Sequence, residues 1–165
     1  MSMAQIAGKT AFLPMDPYEV EKFLYDLGLD GYGKEHHFEF VGGFYDDDQI
    51  DWGTDFRLAN CLAQRISDLG GQRDALKAWC CTQRHCTAED ALRASYNMHS
   101  ITFLDGVDSD EMLGEFALDN GIFEDYNALS EEIYEALDKT KAGARMREMD
   151  GGVIVNGGWQ RCQRI

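Results

Sequence analysis

Basic side chains are the scarce class in this sequence. Fifteen Lys and Arg stand against thirty Asp and Glu, a formal net charge of −15 over 165 residues. A field of that sign repels phosphate backbones, which argues against a conventional DNA or RNA binder. It argues equally against attachment to an anionic membrane surface. Long apolar runs are also missing. No stretch approaches the ~20 apolar residues of a membrane helix, and Met1 to Pro14 offers no secretory signal. The five cysteines, Cys61, Cys80, Cys81, Cys86 and Cys162, are odd in number and irregular in spacing. A disulfide framework is therefore not expected, and a reducing cytoplasm is. G-x-S-x-G, P-loop and G-x-G-x-x-G motifs are absent, and no catalytic role is expected.

What the sequence does hold is enough apolar material for a core, 44% hydrophobic and 12% aromatic residues, which excludes a disordered chain. The length fits one domain or a few small lobes. The charge is unevenly spread. Residues 1–56 carry twelve acids and three bases, and residues 57–100 four acids and six bases. Residues 101–140 carry twelve acids and one base, and residues 141–165 two acids and five bases. Two acidic blocks thus flank a near-neutral one.

Local patterns predict an α+β protein of three small lobes, 1–56 (α+β), 57–99 (helical) and 100–165 (α+β). In the first, Thr10 to Leu13 reads as a strand. Asp16-Pro17-x-Glu19 opens a helix that buries Val20, Phe23, Leu24 and Leu27 and stops near Gly28. His36 to Phe44 reads as a strand with a bulge at Gly42-Gly43, followed by an exposed Asp46-Asp47-Asp48 loop. In the second, Leu58, Leu62, Ile66 and Leu69 form an apolar stripe closed by Gly70-Gly71. A shorter helix carries Leu76 and Trp79, and Thr87-x-x-Asp90 is a capping-box start. In the third, a strand over Ser100 to Leu104 leads through Asp105-Gly106-Val107-Asp108 into a helix ending at Gly121. A second helix is predicted over Leu129 to Asp138. Val153 to Val155, Asn156-Gly157 and Trp159 onward read as a β-hairpin.

Acid spacing in the third block is the most informative local feature. Glu111, Glu115 and Asp119 recur at intervals of four, which on a helix places them about 6 Å apart along one face. Met112, Leu113 and Phe116 are expected to be buried beside them. Glu131, Glu132, Glu135 and Asp138 repeat the design opposite Leu129, Ile133 and Leu137. Like charges at this spacing repel by a few tenths of a kcal/mol per pair, and a solvated face would ordinarily intersperse Lys. Carboxylates every ~6 Å approximate the charge pitch of a nucleic-acid strand. The clusters Asp105 to Glu111 and Asp46 to Asp51 lack the register of a calcium loop. Cys80-Cys81-x-x-x-His85-Cys86 has ligand types but no second pair at a zinc-site distance. No metal or cofactor is expected. His36-His37 sits in no metal motif, and alternation on a strand would turn one inward and one outward.

The ordered series of features resembles the ArdA-type antirestriction proteins of mobile genetic elements. The resemblance runs through Leu13-Pro-Met-Asp-Pro-Tyr-Glu-Val-Glu-Lys, Phe38-Glu-Phe and Leu58-Ala-Asn. It is closest from Ile101-Thr-Phe-Leu-Asp through Asp108-Ser-Asp-Glu-Met-Leu-Gly-Glu-Phe to Asp119-Asn-Gly. It continues through Ala142-Gly-Ala-Arg and Gly151-Gly-Val-Ile-Val-Asn-Gly-Gly, in register with the family's terminal helix and hairpin. The resemblance implies an elongated acidic homodimer of three small domains, joined through the third, that imitates bent duplex DNA. It implies occupation of the DNA-binding groove of type I restriction–modification enzymes, with no catalysis and no nucleic acid bound directly. Phosphate-mimicking roles then fall to Asp46, Asp47, Asp48, Asp51, Asp105, Asp108, Asp110, Glu111, Glu115, Asp119, Glu131, Glu132, Glu135 and Asp138. The chain departs from the family in two places. Met1 to Phe12 is shorter than the family's opening strand–turn–strand, so the first lobe is expected to be shortened. The middle block is net positive where the family's is acidic.

Two other readings of the same acids belong to different classes. One is an acidic interaction module that regulates another basic or DNA-binding partner. The other is a metal-dependent enzyme built on the Asp105–Glu111 cluster.

Overall fold

A computed structural model describes residues 2–31, 34–42, 50–123, 136–155 and 157–162. The protein is α+β, with helices and two three-stranded antiparallel sheets. The chain divides into two compact units, Met1–Asn97 and Met98–Ile165.

The first unit begins with two strands, β1 (Ser2–Ile6) and β2 (Lys9–Leu13). Ser2, Ala4 and Ile6 face inward and Met3 and Gln5 outward. Ile6 pairs with Lys9, so Ala7 and Gly8 alone make the turn, both at positive φ (49° and 75°). That is the backbone twist a two-residue hairpin needs. The sequence pattern predicts only the second strand, because small and polar residues such as Ser2, Ala4 and Gln5 carry little β propensity. Helix α1 (Pro17–Asp26) starts as predicted. Asp16 accepts a hydrogen bond from the Tyr18 N–H at 2.8 Å, and Val20 and Leu24 are buried. Strand β3 (Phe38–Gly42) pairs with β1, giving the order β2-β1-β3. The register slips between Met3 and Ala4, which pair with Gly42 and Phe40, so Val41 is the extra residue of a bulge.

Four helical pieces complete this unit: α2 (Phe56–Asp68), a 3₁₀ turn (Gly70–Gln72), α3 (Arg73–Thr82) and α4 (Ala88–Tyr96). Phe56 is fully buried and joins the layers. Its ring lies 5.9 Å from Phe23 of α1 and 5.3 Å, edge-on, from Phe38 of β3. Asn60 of α2 is also buried. Its amide accepts from the Met15 N–H at 2.7 Å and donates to the Met15 carbonyl at 2.9 Å, tying the β2–α1 link to α2. The capping box at Thr87 and Asp90 is present in both directions.

The second unit holds β4 (Ile101–Asp105), α5 (Asp110–Asp119), α6 (Lys139–Asp150), β5 (Val153–Val155) and β6 (Gly158–Cys162), with the sheet order β4-β6-β5. Val155 pairs with Gly158, so β5 and β6 form the antiparallel hairpin that the Asn-Gly signal predicts. Leu113, Ala117, Met146 and Trp159 form the core, with Leu104, Val107, Phe116, Phe123 and Ile154 packed around it. Met112 is a correction. It is 42% exposed, because the buried face of α5 runs through Leu113, Gly114, Ala117 and Leu118 instead. The helix predicted over Leu129 to Asp138 lies largely outside the described residues. Its described end is not helical: Asp138 is the N-cap of α6, accepting from the Lys141 N–H at 3.1 Å.

Candidate functional site

The acids assigned from sequence fall into three groups. Asp46, Asp47, Asp48, Glu131, Glu132 and Glu135 lie outside the described residues. Asp51 belongs to the first unit. The remaining seven belong to the second, six of them along one continuous stretch from the end of β4 through α5.

That stretch is held by its own backbone. Asp105 ends β4 opposite Gly158. The Gly106 N–H donates to the Gly157 carbonyl at 2.8 Å, and Val107 packs against the Trp159 core. Asp105 and Asp108 therefore stand exposed on either side of an anchored residue. Ser109 caps α5 by accepting from the Met112 N–H at 3.3 Å. Asp110 and Glu111 occupy the first helical turn, where the helix dipole favours negative charge. Glu111, Glu115 and Asp119 are all exposed, on the single helical face their spacing predicts.

The acids differ in what they already bind. Arg147 grips Asp110 with two parallel hydrogen bonds, Nε to Oδ1 at 2.6 Å and an Nη2 contact to Oδ2 at 2.8 Å. Lys139 Nζ reaches Glu115 at 2.7 Å, and Lys141 Nζ reaches Asp138 at 3.0 Å. The hydrogen bonds from Lys141 hold the Asp138 carboxyl below its ordinary pKa. Arg145 pairs with Glu148 and Arg161 with Asp150. Every described Lys and Arg of this unit is thus spent on an acid of the same unit. Asp105, Asp108 and Glu111 form no ion pair among the described residues. The sequence pattern could not make this division, because Lys139 and Arg147 lie 24 and 37 residues from their partners.

Asp51 has a local role. Its N–H donates to the Cys86 carbonyl at 2.7 Å, its carbonyl accepts from the Ala88 N–H at 2.8 Å, and its carboxylate holds the Gly53 N–H at 2.9 Å. His85 stands 3.4 Å from the other carboxylate oxygen. Next door, the Thr87 hydroxyl and N–H hold the Asp90 carboxyl below its ordinary pKa.

Four arginines of the middle block have partners within the first unit. Arg57 forms a two-pronged pair with Glu21 at 2.6 and 2.8 Å, which lowers the Glu21 pKa. Arg73 donates to the Ile66 and Ser67 carbonyls near the end of α2. Arg65 donates to the Ser95 carbonyl near the end of α4 and lies 4.7 Å over the Tyr96 ring. Arg93 pairs with Glu89. Guanidinium groups on the last carbonyls of a helix satisfy acceptors that have no partner within it.

The two adjacent histidines have different surroundings. His36 is buried and His37 exposed, although both precede β3 rather than lie in it. His36 Nδ1 accepts from the Phe56 N–H at 3.2 Å, which requires that Nε2 carry the proton it donates to the Leu29 carbonyl at 3.0 Å. Among the described residues no group of three or more His, Cys, Asp or Glu is placed to hold a metal ion. No described helix is long and apolar enough to cross a membrane. No protein-family model, curated protein or solved structure matches the chain.

Proposed function

We propose that this protein is a cytoplasmic antirestriction inhibitor of the ArdA type, an acidic homodimer that imitates duplex DNA. On this reading it occupies the DNA-binding groove of a type I restriction–modification enzyme. The observation that carries the reading is the row of exposed carboxylates at Asp105, Asp108 and Glu111. They are mounted on a turn and helix start fixed to the Trp159 core, and no cation among the described residues of the unit pairs with them. Asp119 lies two turns beyond Glu111 on the same face of α5, and Glu115 between them is held by Lys139. Fixed negative charge at this spacing suits a groove lined by Lys and Arg, because it offers the groove what a phosphate strand offers without a flexible chain to order.

The chemistry asked of the protein is electrostatic and geometric. Carboxylates replace phosphates, the enzyme's cations exchange DNA for protein, and no bond is made or broken. The test is competition. The protein is titrated into a type I enzyme bound to fluorescent duplex DNA, at several salt concentrations. The expected result is displacement of DNA, with an affinity that falls on the order of 10-fold or more between roughly 50 and 200 mM salt. Failure to displace DNA at any ratio would sink the reading. If the protein then bound a basic protein outside restriction systems, the acidic interaction module would take its place.

A further inference from the structure

Helix α1 turns a face to solvent that has no part in the proposed function. Tyr18 and Tyr25 stand 77% and 70% exposed on it. Seven residues apart, they lie within about 20° of each other around the helix axis and about 10 Å apart along it. The opposite face is tied down, with Val20 and Leu24 buried and the Phe23 ring 5.9 Å from Phe56. The two rings are therefore carried on a backbone already fixed, and each has only two side-chain torsions to order on contact. Among the described residues no aromatic ring stacks on either tyrosine and no cation lies over either. Tyr96 makes the contrast. It is 67% exposed, and the Arg65 guanidinium lies 4.7 Å over its ring. An exposed tyrosine of this chain thus holds an arginine where one is in reach.

We propose that the Tyr18–Tyr25 face of α1 is a docking surface for an arginine-rich segment of a partner protein, each ring taking the flat face of one guanidinium. Charge selects a cationic occupant. Asp16 at the cap, Glu19 in the first turn and Asp26 at the end of the helix stand against Lys22, its single base. Glu21 is already held by Arg57 and adds nothing to the balance. An acidic or phosphate-bearing ligand is repelled from such a surface. The rings select arginine among cations. A guanidinium is planar, weakly hydrated and stacks on aromatic faces, whereas the lysine ammonium is a compact, strongly hydrated charge. Tyrosine and arginine are also the residue types that protein interfaces favour. The surface belongs to the first unit and the Asp105–Glu111 row to the second, so this inference goes beyond the antirestriction reading and holds whether or not a restriction enzyme is the target.

The experiment titrates the full ¹⁵N-labelled chain with an oligo-arginine peptide and, separately, with an oligo-lysine peptide of the same length. Amide shifts along α1, followed against peptide concentration, give the affinity of this face alone, so peptide taken up by acids elsewhere does not enter. The expected result is movement of the α1 amides with an affinity for the arginine peptide on the order of 3-fold or more above that for lysine. This comparison uses the unsubstituted protein and does not depend on a variant folding. Tyr18→Phe with Tyr25→Phe should keep the preference, because the rings remain. Tyr18→Ala with Tyr25→Ala should abolish it and leave the two peptides equal. Silence of the α1 amides, equal affinity for the two peptides in the parent, or an arginine preference that survives loss of both rings would overturn the proposal. None of these outcomes bears on displacement of DNA from a type I enzyme, which tests the antirestriction reading separately.

Discussion

Gly114 of α5 and Gly143 of α6 meet backbone to backbone where the two helices cross. A Cβ on Gly114 would run into the Lys139 carbonyl, and a Cβ on Gly143 into the Asp110 carbonyl. The ion pairs Asp110–Arg147 and Glu115–Lys139 close over the same pair of helices. Their order makes the helices antiparallel, since the start of α5 meets the end of α6. The crossing is therefore what brings Lys139 and Arg147 to the acids they neutralise.

Gly114→Ala and Gly143→Ala should each destabilise the second unit. Alanine gains ~1 kcal/mol in helix propensity over glycine, but the clash is with backbone and no rotamer relieves it. A net loss of about 2 kcal/mol is expected. Gly71→Ala, where an added Cβ meets nothing within 4 Å, should be neutral or slightly stabilising. Urea unfolding followed by circular dichroism compares the three. Equal midpoints for Gly114→Ala and Gly71→Ala would contradict the crossing.

Acid replacements should separate binding from stability. Asp105→Asn, Asp108→Asn and Glu111→Gln together should cost less than about 1 kcal/mol of stability, the favourable charge of Glu111 at the start of α5 being the only loss expected, and weaken displacement of DNA on the order of 10-fold or more. Asp110→Asn should cost about 1–2 kcal/mol of stability, because it strips a charged partner from the partly buried Arg147. Thermal unfolding and the DNA competition assay are read on the same samples. A triple variant that competes as well as the parent would remove the exposed row from the interface.

Replacing His36 should be costly and replacing His37 should not. His36→Leu leaves the Phe56 N–H and the Leu29 carbonyl without a partner in a buried setting, a loss of ~2–4 kcal/mol in total. The His37 side chain is 84% exposed, and His37→Ala should stay within about 0.5 kcal/mol. Chemical denaturation of both variants decides this.

Asp90 should contribute to the acid limb of stability. Its folded pKa lies below the unfolded value of about 3.8 to 3.9. Its contribution is therefore complete above that value and is lost as pH falls through the folded pKa. Asp90→Asn should cost ~1 kcal/mol at neutral pH as a weakened cap, and the gap from the parent should shrink below about pH 4. A gap that is constant from pH 7 to about 3 would show that the carboxylate charge is irrelevant to the cap.

Legibility followed the range of the interactions. Asp16-Pro17, Thr87-x-x-Asp90 and the Asn-Gly turn were readable because their partners lie within a few residues. So was the acidic face of α5, which needs only helical periodicity. Strand β1 was missed because Ser2, Ala4 and Gln5 become a strand through pairing with β2 and β3, not through their own propensity. Helix α6 shows little apolar stripe to read, only Met146 and Gly143 being buried in it. It was visible solely through the family resemblance, because its packing depends on a missing side chain.

By itself the sequence determined the starts of α1 and α4, the terminal hairpin, the α+β class and the concentration of acid in residues 1–56 and 101–140. Each depends on local periodicity, on caps or on composition. Only the tertiary structure decided which acids remain open to a partner. Asp110 and Glu115 look no different from Glu111 along the chain, yet the crossing at Gly114 and Gly143 delivers a cation to each of the first two and none to the third. A charge belongs to its residue, but its neutralisation depends on distance, and over 24 to 37 residues of separation only the fold sets that distance.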